Sequence, residues 1–489
     1  MSVSLIVARP LVKQVKTILE DQGCLDRSHK IKSVGADGGV DGKIGFLIPA
    51  RLPEDGYRQC ISKHQDDQHH QRILNKLGLS TLAGDIKVQV KGSVDMPTEA
   101  RKRNPLGAVI EVWMQILPST VLEILFSQSQ TQASSPLSYI SNIRYNIYEP
   151  LLLLAPEFSP FVAIDSKEYR LHLEILHEMI CQRMNITHIA IKGLILPTVP
   201  SVVDGVLSMA SSQDVPNILR SPSNFMPLYG DFGPMLRPDK HPSNHDFASA
   251  FWCSSRQNGI TQIWAPRYTM FSRGNISEKT RVLKLDTLKH QWLGCSAAET
   301  TAVDLYAGIG YFAFSYLKAG VGKVLCWDMN PWSLEGLRKG AECNRWKAMS
   351  FLEDGPNTQA FDEAKILAFE ETNECAASRV ESIRDQLHPV RHVNCGYLPS
   401  SKGSWETAVQ MLDPRQGGWV HAHENVAKNE IESRAVEIVA MFKEFTRQLQ
   451  GAEKEVEVEC EHIERVKSYA PGVFHCVYDI AITPNNAAL

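Results

Sequence analysis

A short apolar run, Val303-Asp304-Leu305, leads into Tyr306-Ala307-Gly308-Ile309-Gly310, and a helical pattern resumes from Tyr311 to Leu317. Small residues at such a turn leave the backbone open to a ligand, and the helix that follows offers free N–H groups. A second apolar run, Val324 to Trp327, is followed by Asp328. That carboxylate falls about twenty residues after the glycines, at the end of a strand, where it can accept both hydroxyls of a ribose. The chemistry expected of this spacing is the binding of a nucleoside.

Two cofactor classes use that geometry. Gly308-x-Gly310-x-x-Ala313 formally fits the dinucleotide fingerprint. Asp304, four residues before the first glycine, can orient the loop and meet a cationic amino-acid group, which suits S-adenosylmethionine better than a nicotinamide. A glycine turn in an ordinary βαβ crossover, with no ligand, is the plainer alternative. Upstream, Ser272-Arg273-Gly274-Asn275 reads as a turn, and Asn275 with Glu278 three residues later reads as a capping box. Ser272 and Lys279 then lie on one turn and the start of one helix. The helix dipole disfavours a lysine at that point, so Lys279 asks for an anionic partner, and a ligand carboxylate would serve. Simple capping with a surface lysine is the alternative. Thr372 and Asn373, just beyond the strand signal Lys365 to Phe369, lie in the crevice where such folds bind ligands and can bond an adenine amino group. His421 and His423 alternate along a strand and share a face, but no third ligand is near, so no metal is expected. The cluster His64, His69, His70 reads as a solvated loop or helix face, since the adjacent His69 and His70 point apart on most backbones.

The elements that must position these residues follow from periodicity. Leu11 to Leu19, Val109 to Leu117 and Leu171 to Met184 repeat at helical spacing; Ile44 to Ile48 and Thr187 to Ile191 read as strands. Gly35 to Gly42, Ser127 to Ser135 and Ser208 to Asp214 read as turn or linker, and Arg101-Lys102-Arg103 as a solvated basic run. Gln262 to Phe271 is expected to be strand-like on both sides of Pro266. Asn330-Pro331 starts a helix, Val390 and Gly418 open further strands, Glu424 to Leu449 is expected as one long helix, and Val456 to Val466 with Val473 to Ile482 form an edge hairpin. The expected class is α/β: a Rossmann-like S-adenosylmethionine-dependent transferase domain with a terminal antiparallel hairpin, preceded by smaller α+β domains. The expected divisions are an N-terminal region over 1–185, a small domain over 186–290 and the cofactor-binding domain over 291–489.

Composition bounds the rest. The chain has 489 residues, enough for several domains, and 43% hydrophobic with 22% charged residues is ordinary for a globular protein. A net charge of −4 carries no global nucleic-acid signature but leaves room for a local basic face. Eleven cysteines, an odd number with no C-x-x-C pair, argue against a disulfide framework or a zinc site and for reduced thiols. No apolar stretch is long enough to span a bilayer, so a cytoplasmic, untargeted protein without membrane attachment, expected to be a monomer, is the simplest reading.

Several runs together resemble one family: Met270-Phe271-Ser272-Arg273-Gly274-Asn275-Ile276-Ser277-Glu278-Lys279, Asp304 to Phe312, Asp328-Met329-Asn330-Pro331-Trp332-Ser333, His421-Ala422-His423-Glu424-Asn425-Val426 and Arg465 to Pro471. They are similar to the tRNA wybutosine-synthesizing protein 2 family, the tRNA(Phe) 4-demethylwyosine C7 aminocarboxypropyltransferases, relatives of the tRNA guanine-37 N1-methyltransferases. The likeness is dense from Asn217 onward and thin before Ile186. It implies transfer of the 3-amino-3-carboxypropyl group of S-adenosylmethionine to the modified base at position 37 in the anticodon loop of tRNA(Phe), with methylthioadenosine leaving and no metal involved. Methyl transfer to N1 of the same guanosine is the alternative. Carried over, Ser272 and Lys279 are implied cofactor contacts, Asp328 holds the ribose where the family commonly has Glu, and Thr372-Asn373 match an Asp-Asn pair beside adenine, with Thr in the first place. No catalytic residue is implied. Tyr311, Trp332, Tyr397 and Tyr469 are candidates to stack on the base, and Arg267, Arg273, Arg465 and Lys467 to contact phosphate.

Overall fold

A computed structural model of the chain describes residues 2–26, 31–34, 45–51, 71, 73–75, 77–90, 104–128, 143–196, 198–200, 202–203, 206–207, 214–236, 240–350, 358–450 and 456–484. The glycine-rich turn at 35–42, the basic run 101–103, and all or most of the polar tracts 59–72, 127–135 and 208–214 lie outside them. The chain divides into two compact units, Met1–Lys102 and Arg103–Leu489.

In the first unit, β1 (Ser2–Ala8) leads through a single turn into α1 (Val12–Asp21), and β2 (Lys32–Val34), β3 (Gly45–Arg51) and β4 (Ile86–Val90) complete an antiparallel sheet in the order β2-β3-β1-β4. Val15 and Leu19, four residues apart and so on one helical face, are buried with Leu5, Val7 and Ile48.

The second unit opens with two helices, α2 (Pro105–Gln115) and α3 (Ser119–Gln128), followed by β5 (Tyr145–Tyr148), β6 (Leu151–Leu154), α4 (Lys167–Met184), β7 (His188–Ile191) and β8 (Met226–Tyr229). The four strands form one sheet in the order β8-β7-β6-β5. The sheet holds strands from both sides of residue 185. The division expected there therefore falls inside a sheet, and the structure separates the chain near residue 102 instead. Helix and sheet share one core, in which Trp113 is buried against Tyr169 and donates to the His172 carbonyl at 2.8 Å.

A hairpin, β9 (Cys253–Gln257) and β10 (Ile260–Trp264), and the short helix α5 (Ile276–Val282) connect this layer to a large sheet. That sheet is built from β11 (Thr301–Asp304), α6 (Ala313–Lys318), β12 (Lys323–Trp327), α7 (Pro331–Cys343), β13 (Ala348–Ser350), β14 (Ile366–Phe369), α8 (Ala376–Ile383), β15 (Val390–Cys395), α9 (Trp405–Met411), β16 (Gly418–Ala427), α10 (Ile431–Gln450), β17 (Val456–Ala470) and β18 (Val473–Pro484). The order is β13-β14-β12-β11-β15-β16-β18-β17. The first six strands run parallel, and β18 then inserts antiparallel between β16 and β17. β11, β14 and β15 are buried at every position; β14 is apolar throughout, while β11 and β15 carry the polar Asp304, His392 and Asn394 that pair within the sheet. Helices α8, α9 and α10 cover one face and α5, α6 and α7 the other. The α/β class with its terminal hairpin is thus the observed architecture.

Three local expectations give way. Beyond Pro266 the chain turns and makes no strand, because Tyr268 and Thr269 both donate their N–H back to the Ala265 carbonyl. Glu424 continues β16, whose pairing with β18 runs to Ala427, so the long helix begins only at Ile431. The hairpin β9-β10 and α5 do not form a separate small domain: Asn344, at the end of α7, hydrogen-bonds both the N–H and the carbonyl of Thr261 at 3.0 and 2.6 Å. Gly336 permits this approach, since a Cβ there would lie 2.7 Å from the Ile263 oxygen.

Among the described residues no helix is long and apolar enough to cross a membrane, and every described cysteine is free. On α10, Phe442 is fully buried with its ring 5.4 Å from that of Trp405. Phe442→Ala is expected to cost about 3–5 kcal/mol of unfolding free energy, measured by chemical denaturation, because the vacated volume cannot be refilled.

Candidate cofactor site

β11 is the strand from which the sheet grows in both directions, with β12 on one side and β15 on the other. In such a sheet the loops leaving the carboxyl ends of these strands diverge and open a crevice. Asp304 ends β11 and Asp328 directly follows β12, so both carboxylates stand at its floor. Between them runs the loop Leu305 to Phe312. Gly308 and Gly310 hold φ of +55° and +84°, and a Cβ at either would lie 2.8 or 2.7 Å from the ring of Tyr311 or Phe314. Only glycine lets the loop fold this tightly against its own helix.

The loop is tied down on every side. Asp328 accepts from the Gly308 N–H at 2.8 Å and from the Asn330 N–H at 2.9 Å. Burial pushes its carboxyl up to about 6, against the pull of those two N–H groups. Asp304 is fully buried; one oxygen accepts from the Asn394 amide at 3.0 Å and from the Tyr306 N–H at 3.4 Å. Burial likewise raises it to about 6, opposed by Asn394 and the backbone. Asn394 sits opposite Asp304 in the β11–β15 register, which explains the pairing. Tyr311 donates its hydroxyl to the Met270 carbonyl and accepts from the Ser272 N–H at 3.2 Å, stitching the loop to the segment that leads into α5.

That segment does not form a capping box. Asn275 makes no side-chain cap; it accepts from Lys467 at 3.0 Å, while the Glu278 carboxylate pairs with Arg281. Arg281 also grips Asp479 of β18 through two bonds, at 2.5 and 3.0 Å, and Asp479 in turn meets the Nδ1 of His421 at 2.6 Å. Burial works to raise Asp479, and His421 and Arg281 overcome it, holding the carboxyl below the usual range. The other ring nitrogen of His421 lies 3.1 Å from His392, whereas His423 meets His475 at 3.0 Å. His421 and His423, two residues apart on β16, thus serve different contacts.

This ion network pins α5 to the sheet and turns Lys279 inward. Lys279 is 3% exposed, and its ammonium donates to Gln257 at 2.5 Å and Gln262 at 3.0 Å. It also lies 4.8 Å from the ring centre of Phe271 and 5.7 Å from that of Tyr311. No carboxylate among the described residues pairs with it. Burial lowers its pKa to about 8.

On the opposite wall, Thr372 caps a short turn through the Glu374 N–H at 3.4 Å, and Asn373 donates to the Leu305 carbonyl at 3.1 Å. The eight residues singled out from the sequence lie on α5 and the segment leading into it, the end of β11 with its glycine loop, the end of β12 and the turn after β14. Gln257, Gln262, Asn394 and Arg281 were not anticipated. Gln262 had a signal: it occupies an inward position of β10 between buried Ile260 and Trp264, where the alternation calls for an apolar side chain.

Of the aromatic candidates, Tyr311 is taken up by the hydrogen bonds above, and Trp332 is buried in parallel stacking with Tyr268 at 3.8 Å. Tyr397 is half-buried, stacked on Tyr306 at 4.9 Å under the Arg220 guanidinium; Tyr469 is exposed. Arg273 donates to Asn146 at 2.7 Å, and Arg465 covers Phe474.

No family model matches the chain. Against tRNA wybutosine-synthesizing protein 2 of Schizosaccharomyces pombe it is 38% identical over 348 residues, which span 69% of this chain and 72% of the relative. The chain belongs to the tRNA wybutosine-synthesizing protein 2 family. The Saccharomyces cerevisiae member is 34% identical over 287 residues, 54% of this chain and 57% of its own length. The human homolog of that family is 28% identical over 281 residues, 48% of this chain and 55% of its own. Solved structures similar to this one include Pyrococcus horikoshii TYW2 in complex with MeSAdo, with a TM-score of 0.45 at 17% identity over 77% of this chain and 99% of that one. Pyrococcus abyssi Trm5b has a TM-score of 0.44 at 15% identity over 99% of this chain and 100% of that one.

The anchoring of α5 in this family member can be tested directly. Arg281→Met leaves Glu278 buried without its cation and Asp479 with His421 alone, and is expected to cost about 3–5 kcal/mol in denaturant unfolding. Because Asp479 is depressed in the folded protein, its contribution is present above the unfolded carboxyl value and fades as pH falls below about 4. The wild-type protein should therefore lose stability across that acid range, and the Arg281→Met variant should lose less.

Proposed function

We propose that the chain transfers the 3-amino-3-carboxypropyl group of S-adenosylmethionine to C7 of 4-demethylwyosine at position 37, in the anticodon loop of tRNA(Phe), releasing methylthioadenosine. The observation that carries this reading is Lys279: a buried cation with only neutral partners, facing the glycine loop. A buried ammonium is costly unless an anion meets it, and the carboxylate of a methionine arm is such an anion. The tRNA substrate rests on the relatives, whose shared name is that of wybutosine synthesis on tRNA.

The crevice fits the donor part by part. Gly308 and Gly310 let the loop fold tightly against its own helix, and Asp328, with both oxygens fixed by backbone N–H groups, retains lone pairs for the ribose hydroxyls. Thr372 and Asn373 border the adenine position, and Ser272 with Lys279 takes the amino-acid arm. Asp304 holds the loop from below through the backbone, with its second oxygen making no side-chain bond, so its role is to shape the cradle.

When bound, the donor supplies a sulfonium, already a good leaving group. As the bond from C7 to the γ-carbon forms, the bond from that carbon to sulfur breaks, its electron pair stays on sulfur, and the C7 proton is released. The protein's own residues are left with positioning: holding the arm so that the γ-carbon rather than the methyl is in line with the base. Tyr397 and Tyr469, which keep exposed surface, are the rings available to the base, and Arg465 and Lys467 on β17 the cations available to phosphate.

Incubating the protein with tRNA(Phe) bearing 4-demethylwyosine and donor labelled either in its carboxyl or its methyl group tests the reading. Carboxyl label is expected in the RNA; methyl label there instead would identify a guanine-37 N1-methyltransferase. The lysine assignment adds a pH dependence. Affinity for S-adenosylmethionine relative to methylthioadenosine should fall as pH rises above about 8, by up to about tenfold per unit, as Lys279 loses its proton. Titration calorimetry at pH 7, 8 and 9 reads this, and Lys279→Met should abolish the trend.

A further inference from the structure

We infer that Gln262 is a positioning residue that aims Lys279 at the carboxylate of the donor's amino-acid arm and ties it to the glycine loop; this rests on the function proposed above. Gln262 is 2% exposed. Its amide oxygen accepts from the Lys279 ammonium at 3.0 Å, and its amide nitrogen donates to the Gly310 carbonyl at 3.2 Å. The orientation of the amide is not free. An ammonium can only donate and a carbonyl can only accept, so the flipped amide would lose both bonds. One side chain therefore couples the cation to the loop that cradles the nucleoside.

Gln262 is itself held on rails. Asn344 clamps the neighbouring Thr261 through both its backbone groups, and the close packing of Gly336 on Ile263 fixes the residue on the other side. Ile260 and Trp264 flank it in the core. A glutamine in this place costs burial of an amide, which only its two bonds offset. Its chemistry also matters for what Lys279 can bind. A glutamate here would be nearly the same shape but would neutralise the ammonium and repel the Gly310 carbonyl. A neutral amide orients the lysine and leaves its charge for a ligand. Gln257, at 2.5 Å, is neutral for the same purpose. Two glutamines with one lysine thus make a receptor for an amino-acid carboxylate, where a carboxylate partner would have made a closed ion pair.

The test is a calorimetric comparison of S-adenosylmethionine with methylthioadenosine, which lacks the amino-acid arm, on the full chain and on Gln262→Glu, Gln262→Leu, Lys279→Met and the double variant Gln262→Glu with Lys279→Met. The expected result is that Gln262→Glu weakens S-adenosylmethionine at least about tenfold while methylthioadenosine changes less than about twofold. Gln262→Leu should reduce the same preference to a smaller extent. In the Lys279→Met background, Gln262→Glu should have no further effect on the ratio of the two affinities, since the residue acts through the lysine. Equal losses for both ligands in Gln262→Glu, or an unchanged effect of that substitution once Lys279 is gone, would overturn the inference and leave the proposed function standing. A wild-type chain that binds neither ligand would overturn both.

Discussion

A cation buried with no carboxylate partner among the described residues is the constraint on which this region is built. Lys279 can stay charged in the interior only because two amide oxygens and two ring faces surround it, and because α5 is too firmly anchored to let it swing out to water. The anchor is the ion network Glu278–Arg281–Asp479, which joins the helix to β18 in the middle of the antiparallel end of the sheet. Opposite charges are thus satisfied one and two residues along the same helix from a charge that is left open. The two arrangements depend on each other: the closed network supplies the rigidity that keeps the open cation inside.

The glycine loop obeys a similar logic. Its backbone is held by the carboxylate of Asp328 and the amide of Gln262, and its own Tyr311 hydroxyl ties it to Met270 and Ser272 of the segment that leads into α5. Such cross-bracing places the loop before any ligand arrives, so little ordering remains to be done on binding. It also explains why acidic groups tolerate burial here. Asp304 and Asp328 are raised by desolvation, yet both are held by N–H donors, which keeps them serviceable as acceptors.

Much of the large sheet was legible in the sequence because parallel strands, buried on both sides, must be written as apolar runs bounded by turn residues. Val303, Leu325 and Val393 belong to such runs, and the glycines and Asp328 sit where strand ends demand them. What escaped was set by tertiary contacts. The division expected near residue 185 is crossed by the pairing of β5 to β8, and pairing between distant strands leaves no mark on local periodicity. Asn275 and Glu278 have capping-box spacing, yet Arg281 competes for the glutamate and wins because it can also reach Asp479. Glu424 looked like the start of a helix by composition; the ladder with β18 held it in a strand. Gln262 was visible only as a polar residue out of phase, and its meaning required knowing that Gly310 and Lys279 lie on either side.

The last hairpin has a consequence for the protein as a particle among its own copies. With β18 sunk between β16 and β17, the exposed border of the sheet is β17, where Glu457, Glu459, Glu461, Glu464 and Arg465 crowd a strand whose register slips at three places. Like charges and a broken rhythm make poor docking for another strand, so this border should not seed stacking of one molecule onto the next at high concentration. A fold that must keep a long flat ladder for its interior has, at this border, made that ladder unattractive to its neighbours.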